Sequence, residues 1–150
     1  MQASDMASTA DNLMMSAKAF AMSCETLHAT GDEKHRLTIL LLSTTSLELS
    51  LKAWIKWRGG TEADLRSIGH DLVKAYTEAG RLGFSDANGQ LGRAAELLNP
   101  INSRAVARYV PDEPDFMALT PASLVDICRT VALTVEGDLW PPRTEVYEGE

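Results

Sequence analysis

Residues 37–58, LTILLLSTTSLELSLKAWIKWR, constrain the fold more than any other stretch of the chain. Leu37, Leu40, Leu41, Thr44, Leu47, Leu51 and Trp54 recur at helical spacing and make one stripe. Leu42, Leu49, Ala53 and Trp57 make a second. A helix that is apolar on two sides must be covered by several neighbours. This segment is therefore the expected central helix, and Gly59-Gly60 ends it.

The cover comes from helices on either side. Leu13, Met14, Ala17, Phe20, Ala21, Cys24 and Leu27 form one stripe, closed by Gly31-Asp32. Thr61 with Asp64 is spaced to cap a short helix over 62–66. A third helix begins at Ser67 or His70 and runs to about Leu82, with Leu72, Tyr76 and Ala79 inward. Ser85 or Asp86 caps a fourth, which turns Leu91, Ala94, Ala95 and Leu98 inward. Residues 102–119 hold two prolines and no sustained period, so they read as a frayed turn and a loop. Thr120-Pro121 starts the last helix, since a missing N–H is harmless at the first helical position. Its inward residues are Leu124, Ile127, Cys128, Val131, Val135 and Leu139.

No segment alternates apolar and polar residues for the length a strand needs. The expected fold is all-α, an up-and-down bundle of about five helices. Residues 1–140 form one domain, and 141–150, opening on Pro141-Pro142, form a tail. The 150 residues suit one core, and a 45% hydrophobic content argues against disorder. A formal charge of −7 disfavours broad contact with RNA or anionic membrane. The N-terminus has no secretory pattern and no apolar run is long enough to span a bilayer, so the expected location is cytoplasmic. Cys24 and Cys128 sit on apolar stripes and read as buried thiols rather than a disulfide. Neither has metal-ligand spacing, and no cofactor or metal is expected. His28 and His35 read as surface residues of the first interhelical loop.

Three groups of residues could carry chemistry. Glu48 and Lys52 are four apart on the central helix, with the acid on the favoured side. They form either a solvated stripe or a pair facing a groove or partner. His70 and Asp71 stand at a helix start. The imidazole is either part of the cap or a ligand contact or general base, with Asp71 orienting it or purely structural. Arg104, Arg108 and Tyr109 precede the proline-containing loop. The arginines either pair with carboxylates of this acidic chain or offer planar forks to a small anion or phosphate.

The order of these elements resembles the HEPN domain family: the E-x-x-x-K helix, the Gly59-Gly60 link, Gly69-His70-Asp71-Leu72, Ser103-Arg104 and Arg108-Tyr109. The resemblance covers roughly residues 35–135. It implies a bundle of four or five helices, a homodimer, and a setting in toxin–antitoxin, stress or phage-defence systems. Its nuclease members carry an arginine followed within a few residues by a histidine, late in the bundle. No histidine follows Arg104 or Arg108 here, and Arg66 and His70 lie earlier with a different spacing. The expectation is a non-catalytic protein that binds a partner protein, one encoded beside it, or a nucleotide. RNA contact is disfavoured and membrane contact excluded. Trp54, Trp57 and Trp140 are the expected interface anchors of the homodimer. The alternative is an atypical ribonuclease that uses His70 with an arginine.

Overall fold

The structure, a computed structural model, describes residues 9–86, 88–104 and 119–140, with the backbone alone over 100–104. Six α-helices run in the order α1 (Ala10–Ala29), α2 (Arg36–Trp57), α3 (Glu62–Ile68), α4 (Leu72–Arg81), α5 (Gln90–Arg104) and α6 (Pro121–Leu139). A 3₁₀ turn, Glu33–His35, joins α1 to α2. The described residues contain no strand, so the all-α expectation holds. None of their helices is long and apolar enough to cross a membrane.

The predicted helix signals at α3, α5 and α6 operate, and Thr9 adds a cap not named from the sequence. Thr9 caps α1 through the Asn12 N–H, and Thr120 caps α6 through the Ser123 N–H with Pro121 behind it. Thr61 and Asp64 form a reciprocal capping box at α3, with Thr61 N–H donating to Asp64 Oδ2 at 2.8 Å. The helix it starts runs to Ile68, two residues beyond the expected end. Asp86 accepts from the Leu91 and Gly92 amides and so caps the first turn of α5 from a distance. At the end of α2, Gly60 N–H reaches back to Ile55 O at 2.8 Å across a Gly59 with φ +98°. A Cβ on Gly60 would meet Ile55 Cγ2 at 2.6 Å, so this turn requires the glycine pair.

α2 is the central helix, packed by α1, α6 and α4. α1 and α6 run antiparallel beside it, joined by Lys18–Glu136 and Arg129–Glu25. α4 and α5 form an antiparallel hairpin, since Leu72 meets Asn99 at one end and Tyr76 meets Gly92 at the other. Trp54 ties this hairpin to α2. Its indole N–H donates to Leu82 O at 3.3 Å, and its ring stacks edge-on against Phe84 with centroids 5.3 Å apart. All six helices contribute to one hydrophobic core.

The orientation of α2 differs from the two apolar stripes in specific ways. Leu41, placed inward by spacing, is exposed, and Trp57 is exposed as well. Ser43, Thr44, Ser46 and Ser50 are buried instead. Small hydroxyl side chains let α1 approach closely, and most return a hydrogen bond to backbone. Ser46 Oγ, for example, donates to Ala17 O on α1 at 2.8 Å. The two thiols lie either side of Ser43. Cys24 Sγ is 3.6 Å from its hydroxyl, and Cys128 Sγ donates to its carbonyl at 3.5 Å. Both are unoxidised, and burial pushes the Cys128 thiol up to about 12.

Candidate functional site

The lone acid of the central helix is the centre of the site. Glu48 is 5% exposed, on the side of α2 that meets the α3–α4 junction. A carboxylate cannot stay ionised there without partners, because burial removes its water. Two are in place. Lys52 Nζ, one turn on, donates to Glu48 Oε2 at 3.2 Å. His70 Nδ1 lies 2.9 Å from Glu48 Oε1. The solvated-stripe reading of Glu48 and Lys52 is therefore overturned, because the lysine side chain is itself only 12% exposed.

Local backbone delivers the histidine. α3 stops at Ile68, and Gly69 takes φ +58°, a conformation that L side chains rarely adopt. The reversal that follows sets His70 over α2 and lets α4 begin at Leu72. Asp71 is the cap of α4, its side chain accepting from Lys74 N–H at 2.9 Å. The expectation of a helix starting at Ser67 or His70 is corrected by this arrangement. So is the reading of His70 as part of the cap. Asp71 is structural, and the imidazole is directed back to Glu48 across 22 positions of sequence.

The consequence is a histidine with one edge fixed and the other on the surface. Its side chain is 72% exposed, while the carboxylate beneath is 7% exposed. If neutral and donating Nδ1–H to Glu48, the ring presents Nε2 as an acceptor. If protonated, it presents Nε2–H as a donor. A carboxylate that orients an imidazole in this way makes a pairing that serves binding and acid–base chemistry alike.

The α5 end of the site follows from the hairpin. Asn99 Oδ1 accepts from Leu72 N–H at 2.8 Å, at the first residue of α4. The remaining turn of α5 continues past that point, so the backbone of Arg104 ends the helix at the His70 end of the bundle. Arg108 and Tyr109 lie outside the described residues. Glu48, Lys52 and His70 are thus brought together and Asp71 is assigned to the cap. Arg66 stands exposed in the last turn of α3. The Glu48–His70 contact was not foreseen from spacing. A single acid in an otherwise apolar helix was its one signal. Among the described residues no group of three or more His, Cys, Asp or Glu side chains could hold a metal ion.

The chain matches no protein-family model, no curated protein and no solved structure.

Proposed function

We propose that this chain is a non-catalytic, HEPN-like helical protein that acts by binding, with the His70 end of the bundle as its contact surface. The bound species is a partner protein encoded beside it or a nucleotide, in a toxin–antitoxin, stress or phage-defence setting. One observation carries the reading. Buried Glu48 holds His70 in a fixed pose with most of its side chain exposed, and Lys52 balances the carboxylate from the other side. An oriented surface imidazole contributes donor or acceptor capacity without the entropy loss of ordering a mobile side chain. The all-helical architecture agrees with the family resemblance, and Arg104 closes α5 at the same end of the bundle.

The ribonuclease reading has a specific observation in its favour: the carboxylate–imidazole pair itself. Against it stand the acidic balance of the chain and the absence of any histidine after Arg104. Phosphodiester cleavage needs a group titrating near neutrality beside a cation that stabilises the phosphate. Arg66, the arginine nearest His70 in sequence, stands at a spacing unlike the nuclease pattern.

Titration with fluorescent adenine and guanine nucleotides, and affinity capture with the product of the neighbouring gene, test the proposal. Binding of at least one that weakens by about tenfold or more in His70→Ala is expected, the loss of one charge-assisted contact. Equal binding by wild type and His70→Ala would remove this surface from the account.

A further inference from the structure

α6 is held against α1 and α2, and α5 is held against α4, but α5 and α6 scarcely touch. The α4–α5 hairpin leans on α2 through Trp54, which is 4% exposed and so a core residue rather than the interface anchor expected from sequence. A wedge is left between the first turn of α5 and the middle of α6. It is a cavity of about 130 Å³. Its walls are Phe84 from the α4–α5 connection, Leu91 from α5, and Ile127 and Val131, one turn apart on α6. None of the four is more than 9% exposed.

Both sides of the wedge are held in place. Phe84 N–H donates to Ala79 O at 2.9 Å, past a Gly83 with φ +95°, and its ring rests edge-on against Trp54. Asp86 accepts from the Tyr76 hydroxyl and the Gly92 amide, both at 2.9 Å, and from the Leu91 amide at 3.3 Å. These bonds pin the connection to the start of α5. On the other side, Lys18–Glu136 and Arg129–Glu25 tie α6 to α1. Neither side can collapse onto the other. Protein interiors rarely keep such a space empty, and four apolar walls offer a water too few polar partners.

We infer that this cavity is a binding site for a small uncharged ring compound with one hydrogen-bonding edge, the chemistry shared by a phenol and a pyrimidine base. Size sets the ring. An apolar cavity of about 150 Å³ takes a benzene, so this one holds a single six-membered ring and not a fused pair. The polar edge is set by the mouth, where Ser85, Asn88, Gln90, Thr130 and Thr134 are all exposed and all uncharged. The Thr134 hydroxyl donates to Thr130 O at 2.8 Å. The Ser85 and Thr130 hydroxyls and the side-chain amides of Asn88 and Gln90 make no hydrogen bond to other described residues, so they have donors and acceptors to give. Charge excludes the rest. Asp86 is the one charged residue of the lining, so an anion finds no counter-charge. An organic cation meets a carboxylate that already accepts three hydrogen bonds. The site lies at the far end of the α4–α5 hairpin from His70, because Leu72 meets Asn99 at one end and Tyr76 meets Gly92 at the other. It is therefore independent of the His70 surface.

Nitrogen–proton correlation NMR of the full chain tests the site, with phenol, uracil and benzoate as probes. A ligand this small binds in the millimolar to micromolar range. Phenol or uracil is expected to move the amides of Ser85, Leu91 and Thr130 and to leave those around His70 in place. The ring that moves them at the lower concentration identifies the source of the chemistry. Benzoate is expected to move none. Val131→Phe fills the cavity from its wall, and Thr134→Trp, at an exposed position, covers its mouth. Each is expected to weaken binding by about tenfold or more. Val131→Phe risks overpacking the core, so Thr134→Trp, checked by an unchanged helical circular dichroism spectrum, decides the matter if the first variant does not fold. Four outcomes would overturn the inference. They are no shift with either neutral ring, shifts centred away from the α5–α6 wedge, benzoate binding as well as phenol, or an affinity indifferent to Thr134→Trp.

Discussion

Replacing Glu48 by alanine separates the two roles of its carboxylate. Glu48 and Lys52 side chains are 7% and 12% exposed, so neither charge is well hydrated. Removing the acid leaves a lysine ammonium near the core without its 3.2 Å partner. Breaking a buried pair from one side costs about 3–5 kcal/mol, well above the ≈ 0–1 kcal/mol of a surface pair. Lys52 is a long side chain next to the surface and can turn its ammonium toward water, which places the expected loss at the lower end, about 3 kcal/mol. His70→Ala removes the imidazole contact, but from a position 72% exposed, and should cost only about 0–1 kcal/mol. The double variant Glu48→Leu, Lys52→Met replaces both charges with apolar groups of similar volume and should recover most of the loss. Urea denaturation followed by circular dichroism measures all three. A loss below about 1 kcal/mol for Glu48→Ala, the range of surface pairs, or a double variant no better than the single one, would refute the claim of a buried, mutually dependent pair.

Other consequences follow from the same packing. Leu51 is fully buried at the centre of α2, so Leu51→Ala should destabilise by about 2–5 kcal/mol in the same assay. The backbone N–H and hydroxyl of Thr61 hold the Asp64 carboxyl below its ordinary value near 3.8. A depressed native value contributes stability above the unfolded value, and that contribution is lost as pH falls through the native one. Thermal denaturation from neutral pH down through the carboxylate range should therefore show a smaller acid-induced loss in Asp64→Asn than in wild type. Burial raises the Cys24 and Cys128 thiols, so neither should react with a thiol reagent in the native protein at mildly alkaline pH, and both should react in denaturant.

Much of the fold was legible in the chain because its signals are local. Thr61 with Asp64 and Thr120 with Pro121 fix helix starts through hydrogen bonds within four residues. The inward stripes of α1, α5 and α6 follow from spacing alone, since in each the buried apolar residues recur along one face. α2 was harder. It is apolar nearly all round, so spacing could not decide that Leu41 faces solvent while Ser43, Ser46 and Ser50 are buried. That choice is made by how closely α1 can approach, a property of the assembled bundle. The start of α4 was displaced because Ser67, His70 and Asp71 are all plausible helix starters, and the positive φ of Gly69 decides in favour of Asp71. The site was half legible. Glu48 and Lys52 announce themselves four residues apart. The contact with His70 depends on the α3–α4 reversal passing over α2, and no local pattern encodes that.

Incubation of single-stranded RNA with the protein, without metal and between about pH 6 and about pH 8 where an imidazole titrates, tests the central claim of binding without catalysis. The account predicts intact RNA with wild type and with His70→Ala alike. RNA cleaved by wild type and left intact by His70→Ala would contradict it and make the Glu48–His70 pair the heart of a ribonuclease.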